Sequence, residues 1–122
     1  MLTLKATVVS GVGEGRLYVE KYKHVFVELL GGEPYPGTLN VVLEKCFYEL
    51  LSAKEPIYIK PPAPGLGGAY AYKGWLSGVR VLLVKPVVTM HECRVGEVIS
   101  TVPLRRLLGL EDGSTVEILI ED

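Results

Sequence analysis

The sequence predicts a mainly β single domain whose strands close, or nearly close, into a small barrel. Seven or eight short alternating or apolar runs are separated by glycine- and proline-rich connections, the pattern of antiparallel strands. Only two stretches switch to a helical period, and they do not alternate with the strands as a parallel βαβ sheet requires. At 122 residues and 48% apolar, the chain supplies one real core and leaves too little length for a second.

In the first strand Leu2, Leu4, Ala6 and Val8 alternate with Thr3, Lys5, Thr7 and Val9, the period of a half-buried strand. It ends at Ser10-Gly11-Val12-Gly13-Glu14-Gly15, a loop composition. Leu17-Tyr18-Val19 reads as a second short strand. Then Tyr22, Val25, Phe26, Leu29 and Leu30 fall at i, i+3, i+4, i+7 and i+8, one apolar helix stripe that Gly31-Gly32 stops. The prolines of Glu33-Pro34-Tyr35-Pro36-Gly37 exclude a continuing helix. A strand is expected over Thr38 to Leu43, a short helical turn within Glu44 to Ala53, and a strand at Ile57-Tyr58-Ile59. Pro61 to Gly68 is too short for a domain linker and reads as a flap. Tyr70 to Leu76 and Val79 to Val84 flank Ser77-Gly78, the spacing of a tight hairpin. Val87-Val88-Thr89 and Glu97 to Ser100 read as further strands. Thr101 is the expected N-cap of a short helix carrying Leu104, Leu107 and Leu108, with Gly109 as its stop. Glu111 to Ser114 is a turn, and Thr115 to Ile120 alternates as the last strand.

Composition excludes several classes of function. Charged residues are 22% of the chain, too few for a disordered one of this apolar content. Thirteen Lys and Arg against fourteen Asp and Glu leave a net charge of -1, so the field that draws a protein onto nucleic acid or an anionic membrane is missing. No apolar run reaches the roughly 18 residues of a membrane helix, and the first residues lack the pattern of a signal peptide. A cytoplasmic protein with no nucleic-acid or membrane partner is expected. Cys46 and Cys93 read as free thiols.

Three segments carry candidate chemistry. Amides of the turn Gly11-Val12-Gly13-Glu14-Gly15-Arg16 can converge on a phosphate, although the run lacks a Walker A ending and also suits an ordinary hairpin loop. Thr38 and Asn40, two apart, share a strand face. They offer two neutral oxygens to Mg²⁺, which completes its shell with water and phosphate, and equally suit a turn bonded to its own backbone. Thr89 and Glu97 can hydrogen-bond a polar heterocycle, with Glu97 the best candidate base; both also suit exposed strand ends. His91 and Cys93 lack the further ligands of a zinc site. His24 falls between stripe positions and reads as a surface residue. Trp75, Tyr70 and Tyr72 can stack on a flat ligand, although core packing is the commoner use.

Taken together, Val8 to Gly15, Leu30-Gly31-Gly32-Glu33-Pro34-Tyr35-Pro36-Gly37-Thr38-Leu39-Asn40-Val41, Glu97 to Ser100, Leu104 to Leu108 and Leu110 to Gly113 resemble, in that order, the archaeal-type CTP-dependent riboflavin kinases. The resemblance covers nearly the whole chain. Its most specific stretch is Pro34 to Asn40 downstream of Gly11 to Gly15. It implies a cradle-loop barrel, closed and six-stranded in type, with two or three short helices, spanning residues 1–122 as one kinase domain without an N-terminal DNA-binding helical domain. It implies transfer of the CTP γ-phosphate to the ribityl 5′-hydroxyl of riboflavin, giving FMN and CDP. Gly11, Val12, Gly13, Glu14, Gly15 and Arg16 would wrap the nucleotide, with Val102, Pro103, Leu104 and Arg105 as the second nucleotide segment. Thr38 and Asn40 would hold one Mg²⁺ bridging the CTP phosphates, and Thr89 and Glu97 would contact the flavin. Arg16 or Lys21 can neutralise developing charge. Pro61 to Gly68 departs from the family pattern, so no flavin contact is assigned to it. A flavin or nucleotide sensor without turnover, and a DNA-binding regulator built on a swapped-hairpin barrel, are the competing readings.

Overall fold

The structure is a computed structural model that describes residues 2–11, 15–87, 89 and 92–122. Its strands are β1 (Leu2–Val9), β2 (Leu39–Leu43), β3 (Ile57–Ile59), β4 (Ala69–Leu76), β5 (Val79–Pro86), β6 (Val95–Ser100) and β7 (Thr115–Ile120). The helices are α1 (Gly15–Lys21), α2 (Lys23–Leu30), α3 (Phe47–Ala53) and α4 (Leu104–Leu107). Six strands run antiparallel in the order β4-β5-β6-β2-β1-β7, and β7 pairs back onto β4 to close the barrel. The short β3 hangs outside on β4.

Alternation along the strands divides the apolar residues into two layers. Inward side chains such as Val8, Val41, Leu83, Val98 and Ile118 fill the barrel. Outward side chains of the same walls, Leu82, Val84 and Ile99 among them, pack beneath Val19, Tyr22 and Phe26 of the helices. At the closure, a Cβ on Gly74 would stand 2.3 Å from the Leu119 carbonyl oxygen, so only glycine lets β7 pass at this distance. The hairpin turn has both central residues at positive φ, Ser77 at 49° and Gly78 at 79°, the geometry that suits strand twist.

Several expectations need correction. There are four helices among the described residues, not two or three. Leu17-Tyr18-Val19 is helical, because Tyr18 and Tyr22 stand four apart and continue the Phe26 stripe backward. Val87 and Thr89 lie outside any strand: the ladder ends at Pro86, which lacks an amide donor. Val88 and His91 fall outside the described residues. Thr101 does not cap α4, whose N-cap is Pro103 without a side-chain bond. Cys46 and Cys93 form a disulfide. Their pairing depends on tertiary register: Phe47 N–H donates to the Cys93 carbonyl at 2.7 Å and Leu43 N–H to that of Arg94 at 2.8 Å, bringing the two Cα atoms to 4.9 Å.

The hairpin aromatics are packed against separate partners within the protein. Tyr72 is buried and donates to the Leu50 and Lys54 carbonyls, with its pKa pushed up to about 12 by burial. Tyr70 packs on Tyr58 with ring centroids 5.7 Å apart, and Trp75 carries the Arg80 guanidinium at 4.6 Å. His24 is exposed, as its place between stripe positions implies.

Candidate functional site

The second layer is broken on one stretch of the outer wall, where β2 and β6 turn polar side chains outward. Asn40 stands directly opposite Glu97 in the β2–β6 ladder, so both project from the same face. Thr38, two residues before Asn40, is on that face as well. Its hydroxyl donates to Glu97 Oε1 at 3.0 Å. Glu97 is only 8% exposed, which makes that bond and the facing polar groups the support of a buried carboxylate.

The end of β1 delivers Gly11 to the same place. A Cβ on Gly11 would lie 2.2 Å from Asn40 Nδ2, so the Gly11 backbone rests directly on the Asn40 amide. Ser10 donates a hydrogen bond to Asp112. Arg105 reaches Asp112 Oδ1 at 3.0 Å and donates to the Val9 carbonyl at 3.4 Å. The Ser10 bond and then the Arg105 guanidinium hold the Asp112 carboxyl below its ordinary pKa. One exposed network thus ties the end of β1, at Val9 and Ser10, to Arg105 of α4.

Between Tyr35 to Leu39 and Val102 to Arg106 lies a cleft of about 520 Å³, floored by Val98 and Ser100. Its walls are fastened by the Tyr35 N–H bond to the Ser100 carbonyl at 2.7 Å and by the Val102 N–H bond to Ser100 Oγ at 3.4 Å. Val102, Pro103, Leu104 and Arg105 therefore line a cavity that Thr38 also lines.

The expected site residues are distributed as follows. Gly11, Thr38, Asn40 and Glu97 are brought together, and Val102 to Arg105 meet this group at Thr38, which lines the same cleft. Gly15 opens α1, where Arg16 is exposed. Val12, Gly13 and Glu14 fall outside the described residues. Thr89 is half-buried in the β5–β6 connection.

Sequence reasoning missed Lys85, Asp112 and Tyr18. Lys85, 2% exposed, donates to the Glu92 and Val95 carbonyls at 2.8 and 2.6 Å and so holds the base of the connection that carries Thr89. Burial lowers its pKa, while the charges of Glu97 and Glu92 act in the opposite direction. A lysine closing the apolar run Val81 to Val84 was its visible signal. Tyr18 was hidden by the strand reading, although its spacing from Tyr22 was the signal for a helix.

As for a metal, Thr38 and Asn40 supply hard oxygen donors beside a buried carboxylate, a set that fits Mg²⁺. Among the described residues no group of three or more His, Cys, Asp or Glu side chains is placed to hold a metal, and no helix is long and apolar enough to cross a membrane.

A family model named CTP-dep_RFKase, described as domain of unknown function DUF120, matches residues 8–120. A riboflavin kinase of Staphylothermus marinus is 41% identical over 121 residues, covering 99% of this chain and 93% of the relative. One from Ignicoccus hospitalis is 42% identical over 127 residues, with 98% and 71% covered. One from Pyrococcus abyssi is 38% identical over 120 residues, with 91% and 55% covered.

Proposed function

The chain belongs to the CTP-dep_RFKase family, and on that premise we propose that it is a riboflavin kinase that moves the γ-phosphate of CTP to the ribityl 5′-hydroxyl, giving FMN and CDP. The observation that carries the reading is the 3.0 Å bond from Thr38 to Glu97. It joins an expected metal ligand to an expected flavin contact, the juncture a phosphoryl transfer needs between donor and acceptor.

Phosphoryl transfer asks a protein mainly for alignment and charge neutralisation. The cleft between Tyr35 and Arg106 takes the cytidine, and backbone groups of Val102 to Arg105 read its base edge. The segment from Gly11 to Arg16 would supply backbone amides to the phosphates. Thr38 and Asn40 would hold Mg²⁺, which would supply positive charge to offset that of the phosphate oxygens. Glu97 receives the 5′-hydroxyl as a hydrogen-bond donor and aims its oxygen at the γ-phosphorus, and Thr89 contacts the flavin from the β5–β6 connection. The new P–O bond forms on that oxygen as the bond to the β-phosphate oxygen breaks. The hydroxyl proton passes to Glu97, or to solvent if the transition state is loose.

The test is a product assay with purified protein, riboflavin, Mg²⁺ and either CTP or ATP, separating FMN from riboflavin by chromatography. FMN formed faster with CTP is the expected result. Folded protein that binds flavin but makes no FMN with any nucleotide is a sensor, and the proposal fails.

A further inference from the structure

Buried tyrosines normally keep their hydroxyls hydrogen-bonded. Here Tyr22 donates to the Gly67 carbonyl and Tyr72 to those of Leu50 and Lys54. Tyr18 breaks the rule: its hydroxyl oxygen is buried and has no hydrogen-bond partner among the described residues. Arg80 Nη1 is the other such atom, but its guanidinium is anchored by Glu121 and stacked on Trp75. Tyr18 has no such compensation.

Its position is fixed by packing. The ring lies 4.6 Å from that of Tyr22 and 5.9 Å from that of Phe26, against the outer layer that includes Val84 and Ile99. Those two residues flank Glu97: Val84 pairs with it across the β5–β6 ladder, and Ile99 follows it on the same face. The ring therefore packs on the outer layer from which Glu97 projects, and its hydroxyl is near enough to feel the Glu97 charge without bonding to it. Burial, then the neighbouring Tyr22 and Glu97, push the Tyr18 pKa upward, so the oxygen keeps its proton and remains a donor.

We propose that Tyr18 is a substrate contact, its hydroxyl donating to a hydroxyl oxygen of the flavin's polyol chain while Glu97 accepts from that chain. The inference rests on the flavin-kinase reading above. A donor and an acceptor held side by side match the two faces of an alcohol, which both gives and takes a hydrogen bond. The desolvated phenol is satisfied only when the polyol is bound.

The test compares Tyr18→Phe with the parent protein, measuring binding by quenching of flavin fluorescence for riboflavin and for lumiflavin, which has the ring system without the polyol. Riboflavin affinity should fall about fivefold to tenfold in the variant, as for one lost hydrogen bond, with lumiflavin affinity unchanged. The melting temperature should hold or rise by up to about 5 °C, because an orphaned buried hydroxyl has been removed. Equal riboflavin affinity in the two proteins, or equal loss for both flavins, overturns the assignment. A parent protein that binds lumiflavin but gains nothing from the polyol overturns it too. One that binds neither flavin overturns the kinase reading instead.

Discussion

The two faces of β2 and β6 carry different duties. Inward, Leu39, Val41, Leu43 and Val98 are buried in the barrel; outward, the same strands present Asn40 and Glu97 opposite each other, with Thr38 bonded to Glu97. A step of one residue along a strand separates stability from chemistry. The helices α1 and α2 pack Tyr18, Tyr22 and Phe26 on the neighbouring outer wall, whose Leu82, Val84 and Ile99 belong to β5 and β6. Substitutions on the two faces should therefore fail in different ways.

The sharpest break is the double change Thr38→Val with Asn40→Ala. It removes both oxygens proposed to hold Mg²⁺ from the outer face and leaves the inner face alone. Turnover should fall by roughly a thousandfold or more, with the melting temperature within a few degrees of the parent. Steady-state kinetics across a Mg²⁺ titration, paired with thermal unfolding, checks both halves; full activity removes these residues from the site.

Two glycines make the same comparison at matched geometry. A Cβ on Gly74 meets a backbone carbonyl at 2.3 Å, whereas one on Gly11 meets the end of the Asn40 side chain at 2.2 Å. Backbone cannot step aside, so Gly74→Ala should lower the melting temperature by roughly 5–10 °C. A side-chain amide can step aside, so Gly11→Ala should leave stability nearly intact while cutting turnover about tenfold or more by displacing Asn40. Equal thermal losses would erase the distinction.

The smallest effect is expected at Asp112, whose bonds to Ser10 and Arg105 are exposed. Asp112→Asn should raise the nucleotide KM only a few-fold. The sign of its pH dependence follows from its lowered pKa. The carboxylate's stabilisation is fully present above its ordinary value of 3.8 and is lost as pH falls through the lower folded value. Thermal melts of parent and variant should thus converge in acid; a gap that persists there contradicts the assignment.

Much of this division is legible in the sequence because alternation and turn chemistry are local. The strands at Leu2 to Val9 and Thr115 to Ile120, the Ser77-Gly78 hairpin and the stripe ended by Gly31 are all found where the pattern puts them. Thr38 and Asn40 share a face for the same local reason. What is not legible depends on register between distant strands. The bond from Thr38 to Glu97 spans 59 residues, and the Cys46–Cys93 disulfide spans 47; neither separation is marked by composition. Tyr18 was misread because three residues, Leu17-Tyr18-Val19, satisfy a strand pattern when cut off from Tyr22 and Phe26. The family resemblance supplied the grouping of site residues that local pattern could not.

The most direct test is an NMR titration of the assigned protein with riboflavin, then with Mg²⁺ and CDP, following backbone amides, the Asn40 side-chain amide and the methyl groups. The account predicts the largest shifts at Gly11, Asn40, Glu97 and Val102 to Arg105, with the inward methyls of Val41 and Leu83 nearly still. The largest shifts at a second cavity, the 360 Å³ hollow between Leu2 to Lys5 and Cys46 to Ala53, would contradict it.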